Sequence, residues 1–190
     1  MKLPAVLLAA GASRRLGRPK QLLQVEGESL LHRSARLALE AGFDPVVVVL
    51  GAGIDDLRPV LLDLPVQVAS NPAWEEGVAS SIQAGLAVLA DDVAGAAFLV
   101  CDQPALDRGH LEALRRIFEA DPERAVASTY AGTRGIPAIL PRSAFDRLAR
   151  LAGNQGAKAL LGDANPIPFP GGELDLDTPE DLRGWDRLRR

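Results

Sequence analysis

Short apolar runs alternate with longer amphipathic stretches over the first two-thirds of the chain. Ala5–Ala9, Pro45–Leu50, Val66–Ala69, Ala96–Cys101 and Ala125–Thr129 have the length and Val/Leu/Ala content of strands. The second and fourth are apolar on both faces, as strands inside a parallel sheet are. Between the runs, Ser29–Ala41, Ile54–Leu62, Gly77–Ala90 and Asp107–Ala120 carry apolar residues at helical spacing, and Asp107 is placed to cap the last of them. Strand–helix alternation in this order predicts right-handed βαβ units. The fold class is therefore α/β, a Rossmann-like three-layer α/β/α sandwich around a mostly parallel sheet.

Beyond Thr129 the rhythm loosens. Gly135–Leu140 predicts a further strand and Pro141–Leu151 a helix, followed by a glycine-rich turn at Gly153–Asp163. Glu173–Asp177 predicts a short polar strand, and a last helix opens at Pro179, a favourable first helical position. No repeat or long linker divides the chain, so residues 1–190 are expected to form one domain.

Composition narrows the partners. Aromatic residues are 4% of the chain, so the core must be built from Leu, Val and Ala. A net charge of −4 gives no basic footprint for nucleic acid, and an anionic ligand has to be met by local positive charge. The single cysteine, Cys101, excludes an intrachain disulfide and suits a reducing compartment. No run approaches the roughly 18 apolar residues of a membrane helix. The apolar start is short and leads into a Gly/Arg loop instead of a cleavage region, which predicts a buried first strand in a cytoplasmic protein.

In open α/β sheets ligands sit beyond the carboxyl ends of the strands, so the residues there are the candidates. After the first strand, Ala10–Lys20 combines small residues with four cations (Arg14, Arg15, Arg18, Lys20). Small residues let backbone N–H groups approach phosphate oxygens, and the cations supply charge. The spacing matches neither the Walker A loop nor G-x-G-x-x-G. A solvated basic loop is the plain alternative. After the third strand, Ser80 and Ser81 fall in the first turn of a helix, where free N–H groups favour anions; simple capping beside a core Trp74 is the alternative. After the fourth, Asp102 is placed to hold Mg²⁺ against phosphates, or else to cap a turn. Cys101 reads as a small buried hydrophobe. Asp175 and Asp177, two apart on the predicted late strand, share a face that supplies a second metal ligand or is an exposed acidic edge. His32 and His110 read as surface or structural residues.

Together these segments resemble the MobA-like NTP transferase family, and within it the MocA-like molybdenum cofactor cytidylyltransferase branch. LLAAGASRRLGRPKQLL (Leu7–Leu23) is similar to the nucleotide-binding signature, NPAWEEGVASSIQAGL (Asn71–Leu86) to a stretch of the MocA-like branch, and CDQP to the metal-binding DQP. TRGIPAILP (Thr133–Pro141), GNQGAKALL from Gly153 and DLDTPEDL (Asp175–Leu182) resemble the later blocks, so the likeness spans nearly the whole chain. Leu16 replaces a Met or Phe, Asn154 replaces an Asp, and Lys158 replaces an Arg, losing the bidentate fork.

The resemblance implies a nucleotide-diphospho-sugar transferase-like fold in which Gly11–Lys20, with Ala12 and Ser13, wraps a triphosphate. Arg15 and Lys20 would neutralise its charge, and Ser80 and Ser81 would complete the nucleotide site. Ala9, Ala10 and Gly11 would lie against base and ribose, and alanine there implies cytosine. Asp102, with Asp175 or Asp177, would hold Mg²⁺ or Mn²⁺. Asn71, Gly77, Arg134, Gly135, Asn154 and Lys158 would shape the acceptor pocket. The expected reaction is CMP transfer from CTP to molybdopterin or molybdenum cofactor with release of pyrophosphate, without nucleic acid or membrane. Alternatives are guanylyl transfer, a sugar or alcohol phosphate acceptor, and a non-catalytic cofactor carrier. A molybdoenzyme or its maturation chaperone is the implied protein partner. Asn154 keeps the carrier alive; Lys20, Asp102 and Asp177 speak against it.

Overall fold

The computed structural model describes residues 2–188. In chain order the elements are β1 (Ala5–Leu8), β2 (Gln24–Val25), β3 (Glu28–Ser29), α1 (Leu30–Glu40), β4 (Val46–Leu50), α2 (Ile54–Leu57), β5 (Gln67–Ser70) and α3 (Val78–Leu86). They continue with β6 (Gly95–Val100), α4 (Arg108–Ala120), β7 (Val126–Tyr130), β8 (Thr133–Pro141), α5 (Phe145–Ala149), β9 (Asn165–Pro168) and α6 (Pro179–Leu188).

A seven-stranded sheet runs in the order β5-β4-β1-β6-β8-β7-β9. β1, β4, β5 and β6 pair in parallel, β8 pairs antiparallel with both β6 and β7, and β9 is parallel to β7. Thus β8 alone runs against the others, and the sheet is mostly parallel. Alternate residues of β1 and β4 feed two cores. Ala5, Leu7, Val46, Val48 and Leu50 pack with Leu31, Ala35 and Ala38 of α1 and Leu111, Leu114 and Phe118 of α4. Val6, Leu8, Val47 and Val49 pack with Ile82 of α3 and Phe145 and Leu148 of α5. Burial on both faces is why these strands are uninterrupted apolar runs, and it makes three layers. No helix among the described residues is long and apolar enough to cross a membrane.

Local chemistry sets most helix starts. Ser29 Oγ accepts from His32 N–H at 3.3 Å, and Asp107 Oδ1 accepts from His110 N–H at 2.8 Å. The expected helix Ile54–Leu62 closes after one turn and continues as a 3-10 turn over Arg58–Leu61, because Pro59 has no N–H for an α-helical bond. The expected helix Pro141–Leu151 shortens because β8 extends to Pro141.

Two pairings escape the apolar pattern. The β2–β3 hairpin turns through Glu26 and Gly27 at φ +57° and +83°, a left-handed pair usually announced by Asn-Gly. β9 contains Pro166 and Pro168, which an edge strand tolerates and a central one does not. Glu173–Asp177 is not a strand, which corrects that expectation. It is anchored by Leu176, whose N–H donates to Asp102 O at 3.0 Å and whose side chain packs on Leu16, Leu23, Val25 and Leu30. This third cluster draws the late acidic segment against the loop after β1 and the end of β6.

Candidate active site

A cavity of about 830 Å³ opens where β1 and β6 end. Ala9–Arg15, Lys20, Gln21, Trp74, Gly77, Ser81, Asp102 and Asn154 are among its lining residues. The N–H groups of Gly11–Arg15 have no hydrogen-bond acceptor within the protein among the described residues. A Cβ built on Gly11 would meet no heavy atom within 4 Å, so the space at this glycine is cavity. Consecutive unspent donors beside open room form a concavity suited to phosphate oxygens. Ser13 sits at φ +52°, a left-handed conformation that costs a non-glycine residue about 1 kcal/mol. Its hydroxyl accepts from Lys20 N–H at 3.0 Å, which helps offset that cost.

The charges meet at one side. Lys20 Nζ forms ion pairs with Asp102 Oδ2 and, at 2.7 Å, with Asp177 Oδ1. An Arg15 guanidinium nitrogen pairs with Asp177 Oδ2 at 2.6 Å. Burial pulls the Lys20 ammonium down, but the charge and hydrogen bonds of Asp102, aided by Asp177, outweigh it and hold its pKa above the ordinary lysine value. For Asp177, burial raises the carboxyl while Lys20 and then Arg15 lower it, for a net downward shift. Burial, then the nearby Asp102 and Asp177 charges, push the Asp175 carboxyl up to about 6. Asp102, Asp175 and Asp177 thus stand together against two cations, Lys20 and Arg15.

Asp102 is 8% exposed and its Oδ1 is buried without a hydrogen-bond partner. No group of three or more His, Cys, Asp and Glu among the described residues is arranged to hold a metal alone. Mg²⁺ in phosphoryl-transfer sites takes one or two carboxylates and completes its shell with substrate phosphates and water. The free Asp102 oxygen and the carboxylate excess fit that arrangement. Cys101 is 1% exposed; burial, with the Asp102 charge, pushes its thiol up to about 12, too high for a nucleophile.

Other expected residues are placed differently. Asn71 is 3% exposed and turns inward: its Nδ2 donates to Ser80 Oγ (2.9 Å) and Ser81 Oγ (3.0 Å), and its Oδ1 accepts from Ala73 N–H (3.0 Å). Ser80 Oγ lies within 2.9 Å of Ala73 O and 2.8 Å of Gly77 O, so it braces the turn before α3, whereas Ser81 reaches the cavity. Gly77 has φ +112°, and a Cβ there would fall 2.3 Å from Gly153 O. That close approach, with Ala79 N–H donating to Gly153 O at 3.1 Å, brings Asn154 to the cavity wall. Arg134 and Lys158 line a separate notch of about 270 Å³, and Gly135 makes room for the Tyr130 hydroxyl. Asp175 and Asp177 line a neighbouring cavity of about 480 Å³ shared with Arg15.

Sequence reasoning did not single out Gln21 or Glu75, counted Arg14 only among the cations of the first loop, and gave a core Trp74 as one of two readings. Arg14 pairs with Glu75 Oε1 at 2.6 Å and lies 5.7 Å from the centre of the Trp74 ring, tying the first loop to the turn before α3. No local signal marks these partners, which are 61 residues apart.

Residues 5–167 match the MobA-like NTP transferase domain. The molybdenum cofactor guanylyltransferase of Rhodobacter capsulatus is 34% identical over 207 residues, covering 100% of this chain and 98% of that protein. The purine catabolism protein PucB of Bacillus subtilis is 31% identical over 203 residues, covering 97% and 95%. Among solved structures, Rv0371c of Mycobacterium tuberculosis superposes with a TM-score of 0.82 at 29% identity, covering 97% of each chain; its manganese complex gives 0.79 at 27%. The chain belongs to the MobA-like NTP transferase family, and its fold and family are those of a catalytic nucleotidyltransferase.

The expected placement in the MocA-like cytidylyltransferase branch, and with it CTP as donor, is corrected by these relatives. The R. capsulatus protein and four others at 33–34% identity are named molybdenum cofactor guanylyltransferase, three of them as probable. Ala9 and Ala10 are 3% and 4% exposed, their methyl groups packed in the cores on opposite faces of the sheet.

Proposed function

We propose that this protein transfers GMP from GTP to the terminal phosphate of a molybdopterin-type acceptor and releases pyrophosphate. The observation that carries the transfer chemistry is the run of unspent N–H donors at Gly11–Arg15 beside the Lys20–Asp102 pair in one cavity. The guanine base and the acceptor rest on the names of the relatives.

In this reading the triphosphate lies along Gly11–Arg15, where the donors need no reorganisation to receive it. Lys20 and Arg15, paired with Asp102 and Asp177 in the free protein, turn their charge toward the phosphates. Asp102, with Asp177 or Asp175, would hold Mg²⁺ or Mn²⁺, which supplies Lewis-acid charge to phosphate oxygens when bound. An acceptor phosphate oxygen attacks the α-phosphorus in line; that P–O bond forms as the bond to the α,β-bridging oxygen breaks, and pyrophosphate departs. An ionised phosphate is already a nucleophile, so no protein base is needed, and catalysis is positioning plus electrostatics. Gly77 and Asn154 border the acceptor side of the cavity, and the separate Arg134/Lys158 notch, with Gly135 on the same strand, offers two cations to anionic groups of the acceptor. Use of a nucleoside triphosphate and the lone buried thiol support a cytoplasmic setting.

Pyrophosphate release is measured with Mg²⁺, molybdenum cofactor and GTP, CTP, ATP or UTP in turn. Release with GTP is expected. Release with CTP alone removes the guanine assignment, and silence with all four removes the transferase reading for this acceptor.

A further inference from the structure

Gln21 is 1% exposed, yet it lies at the back of the phosphate loop with its amide fully engaged. Its Nε2 donates to Ala9 O at 2.9 Å and to Gly11 O at 2.8 Å. Carbonyl oxygens only accept, so the atom between them must be the NH₂, and Oε1 is left facing Ser13. The Ser13 hydroxyl donates to that Oε1 at 3.3 Å and itself accepts from Lys20 N–H at 3.0 Å. Ser13 O in turn accepts from Leu16 N–H (3.0 Å) and Gly17 N–H (3.2 Å). One buried amide thus ties down two loop carbonyls and, through Ser13, the turn that delivers Arg15 and Lys20.

From this geometry we infer that Gln21 is a positioning residue that sets the polarity of the nucleotide loop. With the Ala9 and Gly11 carbonyls held from behind, those two oxygens are withdrawn from a ligand, and the N–H donors of Gly11–Arg15 stay open to it. A loop with freed carbonyls would present acceptor oxygens to a polyanion and repel it. The left-handed Ser13 points the same way. Its strained backbone persists because its hydroxyl is held from both sides, and strain of this kind collects where a site is preorganised. Only a side chain with both a two-hydrogen donor and an acceptor satisfies this set: Glu lacks the donor, and Leu or Met lacks both. The role toward triphosphate rests on the transferase reading above.

The test uses Gln21→Met, which nearly keeps volume and removes all three bonds, and Gln21→Glu. Nucleotide KM and kcat are measured beside thermal unfolding and amide exchange of Leu16, Gly17 and Lys20 in the free protein. Gln21→Met is expected to raise the nucleotide KM at least about tenfold, with exchange at those amides faster by a similar factor. For Gln21→Glu, the KM ratio to wild type should fall as pH is lowered from about 8 to about 6. There the carboxyl, buried against two carbonyl oxygens, regains a proton and with it one donor. A merely structural role would lower stability without this pH-dependent recovery. Unchanged KM and exchange in folded Gln21→Met, or a Gln21→Glu ratio flat with pH, overturns the inference. Should wild-type protein bind no nucleoside triphosphate while Gln21→Met still frees the three amides, the transferase reading falls and the loop's dependence on Gln21 stands.

Discussion

Lys20→Met separates the two jobs assigned to this side chain. In the free protein its ammonium is the cation against Asp102 and, with Arg15, against Asp177. Methionine keeps most of the side-chain volume and leaves the Asp102 carboxylate without its cation, beside an Oδ1 that already lacks a partner. Removing one member of a fully buried pair costs about 3–5 kcal/mol. Here the side chains keep 20% exposure for Lys20, 12% for Asp102 and 29% for Asp177, so water screens part of the loss. A cost of about 2 kcal/mol follows, which in a chain of this length lowers Tm by about 4–8 °C. The double variant Lys20→Met/Asp102→Asn removes the stranded charge and should regain at least about half of that drop. Activity behaves differently: kcat/KM falls about 10²–10³-fold in the single variant and does not return in the double. Thermal unfolding and pyrophosphate release measure both. A Lys20→Met protein that melts with wild type, or a double variant less stable than the single, refutes the bridging role.

Three further outcomes test other parts of the structure. Gly11→Ala should unfold at the wild-type temperature, since its Cβ meets no protein atom, while the nucleotide KM rises about tenfold; equal KM would show that the ligand does not approach this residue. Gly77→Ala places a Cβ 2.3 Å from Gly153 O at φ +112° and should cost at least about 2 kcal/mol in chemical denaturation, with loss of activity as Asn154 moves; a silent substitution would mean the two turns are not in contact. His32→Gln tests a pH-dependent contact away from the site. Burial pulls the imidazole down, but hydrogen bonds with Glu28 and Asp63 outweigh it, so its folded pKa lies above the ordinary value. Its stabilisation is fully present below about pH 6.5 and is lost as pH rises through the folded pKa. Glu28, lowered to about 2 chiefly by its hydrogen bond with Arg36, stays ionised through that window. The Tm deficit of His32→Gln should therefore be larger at about pH 5.5 than at about pH 9, and an equal deficit at both counts against the contact.

Much of the architecture was legible in local patterns. Apolar runs buried on two faces gave β1, β4 and β6, and Ser29 and Asp107 marked helix starts, because strand burial and capping depend on residues near in sequence. The position of the loop after β1 was legible as well, since ligand sites in such sheets lie beyond the strand ends, and Ala9–Ser13, Arg15, Lys20 and Asp102 do line one cavity. Ser81, Gly77 and Asn154 join them there, while Asn71 and Ser80 bond neighbouring protein atoms instead and Gly135 makes room for Tyr130.

Tertiary structure decided what periodicity cannot carry. Insertion of β8 between β6 and β7 depends on strand pairing across the sheet, and edge strand β9 is hidden in sequence by its prolines. Asp177 reaches Lys20 across 157 residues because Leu176 fits a cluster built from the first loop and hairpin, a contact no spacing rule encodes. Gln21 is invisible in sequence for the same reason: a buried glutamine means nothing until the carbonyls it holds are known. Composition and short-range pattern determined the layers and the small-residue, cation-rich loop after β1, because those follow from local backbone chemistry. The charge network and the walls of the cavity were settled only when distant segments packed together.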